Sequence, residues 1–226
     1  MPRKGMARFA PLAGVLFLVL GIASVIVGGD PPDSDKSSQE IAKFWADNDT
    51  ENLISAILGI YATLALVWFA GSLRETIARA EEGGSRLAST AFGGSIILAT
   101  GLAINSAFQV MAADVADDVP PEVTHTLHVI YDGMYFPIAL GMGILLLASG
   151  LAAIRHGAFD RRLGWIAIVL GVLCFTPLGF AGFIGGIVWV ALMGVMLYRK
   201  TDPVGSGAQP PAAASGGPTI EVPPGV

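Results

Sequence analysis

The stretch VTHTLHVIYDGMYFPIALGMGILLLASGLAAI, residues 123–154, decides the fold of this chain. No charged residue occurs from residue 133 to residue 154, and about 18 largely apolar residues suffice for a membrane-spanning helix. The first half of the stretch holds His125, His128 and Asp132, which are ionisable groups that are costly inside a bilayer. The stretch therefore predicts a transmembrane helix with a polar end.

The composition of the whole chain agrees with a membrane location. Of 226 residues, 53% are hydrophobic and 14% are charged, whereas soluble domains carry about 25% charged residues. Cys174 is the only cysteine, which excludes an intrachain disulfide and a cysteine-based metal centre. The run 9–28 is longer than the apolar core of a secretory signal and no A-x-A site follows it, so we expect a retained first span.

Six apolar segments predict an all-α polytopic membrane protein, with a bundle of six transmembrane helices in residues 1–200. We expect the spans at about 9–28, 53–73, 88–111, 126–154, 163–178 and 182–198. The Pro-, Ala- and Gly-rich residues 201–226 predict a disordered cytoplasmic tail, because they bury too little apolar surface to offset ordering entropy.

The distribution of basic residues predicts the orientation of the bundle. Of the 13 Lys and Arg residues, only Lys36 and Lys43 fall on the side opposite the termini when six spans are drawn. Basic residues concentrate in cytoplasmic loops of membrane proteins. The sequence therefore predicts a multi-pass protein of the plasma (inner) membrane, with the amino and carboxyl termini in the cytoplasm.

Two local patterns predict further structure. Residues 37–40, SSQE, have the spacing of a helix capping box, and Ile41, Phe44 and Trp45 then share one helical face. This predicts a short outer helix, lying either on the membrane interface or over the bundle. The segment 176–182, TPLGFAG, predicts the turn of a hairpin between the last two spans, because proline and glycine break helices.

Polar residues of two neighbouring spans are expected to meet below the outer surface. On a helix of roughly 100° per residue, His125, His128, Asp132 and Tyr135 lie within about 80° of one another. Asn105 and Gln109 are spaced i and i+4 on the preceding span, which runs the opposite way. We expect Asp132 to face the bundle, because lipid disfavours an unpaired charge. These six residues form the candidate polar pocket.

Four interpretations of this pocket remain open from the residues alone. His125, His128 and Asp132 are potential ligands of a divalent metal ion such as zinc, and no other cofactor is expected. A histidine–carboxylate pair is also suited to a site that responds to protons or to a ligand. The same residues would suit the outer mouth of a small transporter. Finally, such a network can simply specify helix pairing.

Enzymatic activity and nucleic-acid binding have little support in the sequence. It contains no G-x-S-x-G, Walker, H-E-x-x-H or C-x-x-C motif, which leaves an enzyme uncertain and predicts no catalytic residues. The basic residues are spread over loops, where they act as topology determinants, and form no nucleic-acid-binding patch.

Three segments carry a resemblance to a known group: EIAKFWADN at 40–48, RLASTAFGG at 86–94 and PLGFAGFIGG at 177–186. With the six-span pattern, they resemble uncharacterised actinobacterial integral membrane proteins of the domain-of-unknown-function type. That resemblance implies a membrane location and supplies no activity. We expect a binding, sensing or assembly component, with a small-solute or ion transporter as the alternative. The lipid bilayer is the expected partner, and a membrane-protein partner or a homo-oligomer remains open.

Overall fold

The computed structural model describes residues 9–201, which contain helices, turns and no strand. A short 3-10 turn, Ala10–Leu12, leads into the first helix. The helices are α1 Ala13–Gly28, α2 Ser38–Asp47, α3 Asp49–Ala80, α4 Arg86–Val115, α5 Pro121–Gly133, α6 Tyr135–His156, α7 Arg161–Leu173 and α8 Gly179–Thr201. The predicted all-α class is confirmed. The predicted tail, 201–226, lies almost entirely outside the described residues.

Five helical segments in the described part of the chain are long and apolar enough to cross a membrane. They are 10–28, 49–80, 86–115, 121–156, which combines α5 with α6, and 179–199. The predicted span at 163–178 corresponds to α7, which has 13 residues and is therefore about 20 Å long. A hydrocarbon core is about 30 Å thick. The helical membrane bundle is thus supported, but α7 is too short to qualify as a sixth span by itself.

Glycines allow neighbouring helices to pack closely in antiparallel pairs. A Cβ on Gly141 of α6 would lie 2.3 Å from the backbone nitrogen of Leu98 on α4. On α1, a Cβ on Gly14 would lie 2.8 Å from the Phe69 ring of α3, and one on Gly28 would lie 2.7 Å from Ser55 Oγ. Membrane helices associate largely through close packing of this kind, because no hydrophobic driving force pulls them together within lipid.

The hairpin of α7 and α8 continues this antiparallel order. At one end of α7, a Cβ on Gly164 would lie 3.1 Å from the carbonyl oxygen of Gly150. At the other end of the hairpin, a Cβ on Gly179 would lie 2.5 Å from the hydroxyl oxygen of Tyr135. Together, α7 and the turn 174–178 therefore run back along nearly the whole of α6. The predicted break is present and includes Thr176 and Pro177, but α8 begins at Gly179, so the turn ends earlier than the sequence suggests.

The start of α1 and the end of α8 lie side by side. The Phe9 and Tyr198 rings stack with 5.9 Å between their centroids. The α3–α4 connection lies at this end too, since Gly14 contacts Phe69 and the Arg74 guanidinium lies over the Phe92 ring. We call this the basic end. The described basic residues here are Arg74, Arg79, Arg86, Arg155, Arg161, Arg162 and Arg199.

The opposite end, which we call the acidic end, is covered by α2. The Ser37 hydroxyl accepts a hydrogen bond from the Glu40 backbone N–H, which confirms the predicted helix start. Ile41 and Trp45 are fully buried in a cluster completed by Ala112, Ala113 and Ala116. Of the two sequence-based alternatives for this helix, the contacts favour one lying over the bundle.

The predicted span 126–154 is divided into α5 and α6 by a break at Met134. Pro137 has no N–H, so the carbonyl of Gly133, four residues earlier, lacks its usual helical partner. One turn earlier, the Met134 N–H is shared between the carbonyl oxygens of Ile130 and Tyr131, which tightens the last turn of α5. The break is confined to this one residue, because α6 begins at Tyr135.

Candidate functional site

The six residues of the predicted pocket are distributed over three places. His125, His128 and Asp132 bind the connecting segment 29–37, which follows α1 at the acidic end. Asn105 and Gln109 line a cavity between helices. Tyr135 lies beyond the break at Met134, next to Gly179, and its buried hydroxyl has no hydrogen-bond partner among the described residues. The sequence places these residues on common faces, but Tyr135 lies beside the start of α8, apart from the others.

His125 is held through both ring nitrogens. Its Nε2 lies 3.0 Å from the carbonyl oxygen of Ser34, and its Nδ1 lies 3.0 Å from Ser38 Oγ. A carbonyl only accepts hydrogen bonds, so Nε2 carries the proton, and in a neutral ring Nδ1 accepts from the Ser38 hydroxyl. His125 therefore joins α5 to both the 29–37 segment and the start of α2.

His128 is fully buried and makes the next attachment to the same segment. Its Nε2 lies 2.9 Å from the carbonyl oxygen of Pro32, and its ring stacks on Tyr131 and meets Trp45 edge-on. Its Nδ1 is buried without a hydrogen-bond partner in the described part of the chain. The donation from Nε2 to Pro32 fixes the ring tautomer, because Nδ1 is then the unprotonated nitrogen of a neutral ring.

Asp132 is the third attachment point, and it does not face the bundle interior as expected. Its side chain is 45% exposed, and its carboxylate accepts a hydrogen bond from the Ser34 hydroxyl. The carboxylate oxygen lies 3.7 Å from His128 Nε2. α5 ends at Gly133 and lies directly beneath the 29–37 segment. The carboxylate is therefore at the end of the bundle, where it contacts both Ser34 and solvent.

The three potential metal ligands are all engaged with protein groups. Nε2 of each histidine points at a loop carbonyl, and Asp132 binds Ser34. Within residues 9–201, no group of three or more His, Cys, Asp or Glu side chains is arranged to hold a metal ion. A metal bound through Nε2 of His125 and His128 would have to displace their bonds to the loop, and the metal site stays a prediction from the sequence.

Beneath the 29–37 segment lies a cavity of about 370 Å³. Its walls come from α1, α3, α4, α5 and α8. The polar lining residues are Ser24, Asn52, Ser55, Asn105, Ser106, Gln109 and Tyr131, with Asp30 at the acidic end. The apolar lining residues include Phe17, Val25, Leu102, Phe180, Phe183 and Ile187.

A buried hydrogen-bond network forms the polar wall of this cavity. Gln109 Nε2 donates to Asn52 Oδ1 and to Ser55 Oγ, at 3.0 Å in each case. The Ser55 hydroxyl donates to the Ser24 carbonyl at 2.9 Å, and the Ser24 hydroxyl donates to the Ser55 carbonyl at 2.8 Å. The network joins α1, α3 and α4. The Asn105 side chain lies beside the Tyr131 hydroxyl on the adjoining wall.

Sequence reasoning found Gln109 and Asn105 but missed their partners. Ser24 is an isolated hydroxyl in the apolar run of α1, and Asn52 and Ser55 are spaced i and i+3 near the start of α3. At 1.5 Å per residue, Ser24 and Ser55 lie about 6 and 9 Å from the ends of their helices. This matched depth was the available signal, although the pairing of α1 with α3 was needed to use it.

Comparisons with family models, curated proteins and solved structures found no match to this chain. The resemblance to actinobacterial membrane proteins therefore stays an expectation from the sequence. Arguments about function rest on the cavity and the groups around it.

Proposed function

We propose that this is an integral membrane protein of the binding or sensing kind, whose ligand occupies the cavity between α1, α3, α4 and α8. The observation that carries this proposal is the position of the Gln109 network, which lines open space on one side. A network whose only role is to pair helices needs no open space beside it, and neighbouring side chains can cover it completely. Here a polar surface from three helices faces a volume that a ligand can fill.

The size of the cavity supports the proposal that a ligand occupies it. The cavity holds about 370 Å³ and is open toward Val25 and Phe180, which are 72% and 69% exposed, so it is not a sealed void. Water, lipid or a ligand can therefore enter it. Ligand sites commonly have volumes of about 300–1,000 Å³, mostly apolar walls and a few convergent polar groups, and this cavity has all three properties.

Binding is favoured over transport by the packing on the basic side of the cavity. Lining residues reach Asp30 at the acidic end, but the deepest ones are near Phe17 and Ala62. Beyond them, Leu66, Phe69 and Trp189 are almost completely buried. A transporter would need a second conformation that opens this packed half. Solute accumulation in proteoliposomes would support that alternative.

We further propose six membrane crossings, with the basic end in the cytoplasm. The stacking of Phe9 on Tyr198 supports an even number of crossings, because the chain enters and leaves the described bundle at one end. In this topology α7 crosses together with the turn 174–178. The described arginines are concentrated at the basic end, as the positive-inside rule requires of a cytoplasmic face. The cavity and the 29–37 segment then face outward.

Native mass spectrometry of the full chain, extracted gently from membranes, tests the binding proposal. Gly21 lines the cavity, and no described atom lies within 4 Å of a Cβ placed on it, so the side chain of Gly21→Leu starts in open space and extends into the site. Gly93→Leu is the matched control, since Gly93 is equally unobstructed but exposed on α4.

We expect the unmodified protein and Gly93→Leu to carry the same non-covalent adduct, and Gly21→Leu to lose it. An adduct retained by Gly21→Leu, or none in any of the three proteins, would overturn the proposal. A parallel crosslinking pull-down from native membranes would identify a protein partner if the role is in assembly.

A further inference from the structure

We infer that the ligand of this cavity is a neutral amphiphile, with an alkyl chain and an uncharged headgroup rich in hydroxyl or amide groups. This inference rests on the proposed function and specifies its ligand. Four features of the cavity lead to it: its shape, its gradient of polarity, the lack of basic groups in its lining, and its apolar border.

The shape follows from three glycines on one face of α1. Gly14, Gly21 and Gly28 are seven residues apart, so they lie nearly in line along the helix. Gly14 packs against Val190 of α8, and Gly28 packs against Ser55 of α3. Between them, Gly21 faces open space with no described atom within 4 Å of an added Cβ. α1 and α8 therefore touch near the basic end and leave an elongated space further along.

Polarity changes along that space. The hydrogen-bonding groups Ser24, Asn52 and Gln109 lie on the acidic side, and the apolar residues Phe17 and Ile187 lie deeper. Phe17 is seven residues from Ser24 on α1, or about 10 Å along the helix. A ligand that satisfies both regions has a polar group near the network and an apolar chain reaching toward Phe17.

The charge of the lining excludes an anionic headgroup. Among the residues that line the cavity in the described part of the chain there is no lysine or arginine, and Asp30 is the only carboxylate. A phosphate or carboxylate placed here would lose hydration without a cationic partner, which is strongly unfavourable. Amide and hydroxyl side chains instead match a headgroup that both donates and accepts hydrogen bonds.

The cavity also borders the surface that faces lipid in the proposed topology. Val25 of α1 and Phe180 of α8 both line it, and they are 72% and 69% exposed. An alkyl chain can therefore enter sideways between α1 and α8 without crossing water. The volume of 370 Å³ falls in the range of about 300–1,000 Å³ that is typical of small-molecule sites. That is enough for a glyceryl-sized headgroup and the first part of a chain.

Photolabelling tests this ligand class. The full chain is reconstituted in phosphatidylcholine vesicles with a trace of monoacylglycerol that carries a diazirine in its acyl chain. We expect crosslinks in residues 13–28 and 179–187. Labelling should fall several-fold in Gly21→Leu and remain unchanged in Gly93→Leu. The fatty acid with the same diazirine chain should label weakly, because its carboxylate meets no cation.

A second variant examines the headgroup contacts without filling the space. Asn105→Leu removes a lining amide that takes no part in the Gln109 network, and we expect it to lower monoacylglycerol labelling while the protein stays folded. Equal labelling of Gly21→Leu and Gly93→Leu, or equal labelling by the fatty acid, would overturn the inference. If an adduct in native mass spectrometry depends on Gly21 but monoacylglycerol fails to label, the binding proposal survives and the amphiphile is wrong.

Discussion

His128 and Asp132 lie one helical turn apart on α5, with 3.7 Å between Nε2 and the nearest carboxylate oxygen, and each holds a different residue of the 29–37 segment. His128 donates to the Pro32 carbonyl, and Asp132 accepts from the Ser34 hydroxyl. The segment begins at Gly29, whose φ of 72° is a conformation that favours glycine. Asp30 and Pro31 of the same segment line the cavity, so these bonds hold one wall of the candidate site in place.

Removing the carboxylate should loosen this wall. We expect Asp132→Ala to increase tryptic cleavage after Lys36, which is exposed in the same segment. The hydrogen bond from Ser34 to Asp132 is solvent-exposed, so it contributes about 0.5–1.5 kcal/mol, and cleavage that follows local opening should then rise several-fold. Asp114→Ala is the control, because Asp114 is an exposed carboxylate on α4 whose side chain makes no hydrogen bond to the described residues of this segment. Equal cleavage of the two variants would show that Asp132 does not restrain the segment.

Most of the architecture was predictable from the sequence, because lipid imposes a simple constraint on composition. Long uncharged runs predicted six spans, of which five correspond to the segments that are long and apolar enough to cross a membrane, and the capping box at Ser37 predicted α2. The break at Met134 was harder to predict from the sequence. The sequence predicted one span over 126–154, whereas the structure divides it at Met134, three residues before Pro137.

The site was predicted only in part, since helical phase places residues on a face without saying what that face meets. His125, His128 and Asp132 do share a side of α5, but their partners are Pro32 and Ser34 in a loop without periodic pattern. Gln109 was expected to meet them and instead bonds to α3. The sequence alone does not determine which of several antiparallel neighbours a polar face will contact.

The network around Gln109 should respond non-additively to substitution. Gln109→Leu leaves Asn52 Oδ1 without its donor in a buried position, and we expect it to lower the free energy of unfolding by about 1–3 kcal/mol. The double variant Gln109→Leu/Asn52→Leu replaces both partners with apolar groups, so it should cost less than the sum of the two single variants by at least 0.5 kcal/mol or so. Denaturant titration in detergent, followed by circular dichroism, measures both.

Asn105→Leu is the control for that cycle, because it changes an amide on the adjoining wall that makes no bond to Gln109. Its cost should be smaller than that of Gln109→Leu. Strict additivity of Gln109→Leu and Asn52→Leu would contradict the coupling inferred from the 3.0 Å contact.

Two glycine-to-alanine substitutions should have opposite effects on stability. A Cβ at position 141 would lie 2.3 Å from Leu98 N, so Gly141→Ala must push α6 and α4 apart, at a cost of about 1–3 kcal/mol or more. Gly21→Ala places its methyl in open space and should be neutral or stabilising by up to about 1 kcal/mol, from helix propensity. The same denaturant titration compares them. Destabilisation of both to a similar degree would mean that the space beside Gly21 is closed in solution.

Cysteine labelling in intact cells should distinguish six crossings from five. In a Cys174→Ala background, Asp117→Cys at the acidic end should react with a membrane-impermeant maleimide, and Ser85→Cys at the basic end should react only after permeabilisation. Leu178→Cys decides the role of α7, because this exposed residue lies in the turn before α8. In the six-crossing topology, it reaches the same side as Asp117 and should be labelled in intact cells. Labelling of the Leu178→Cys variant only after permeabilisation would mean that α7 does not cross, and the proposed cytoplasmic location of both termini would then be wrong.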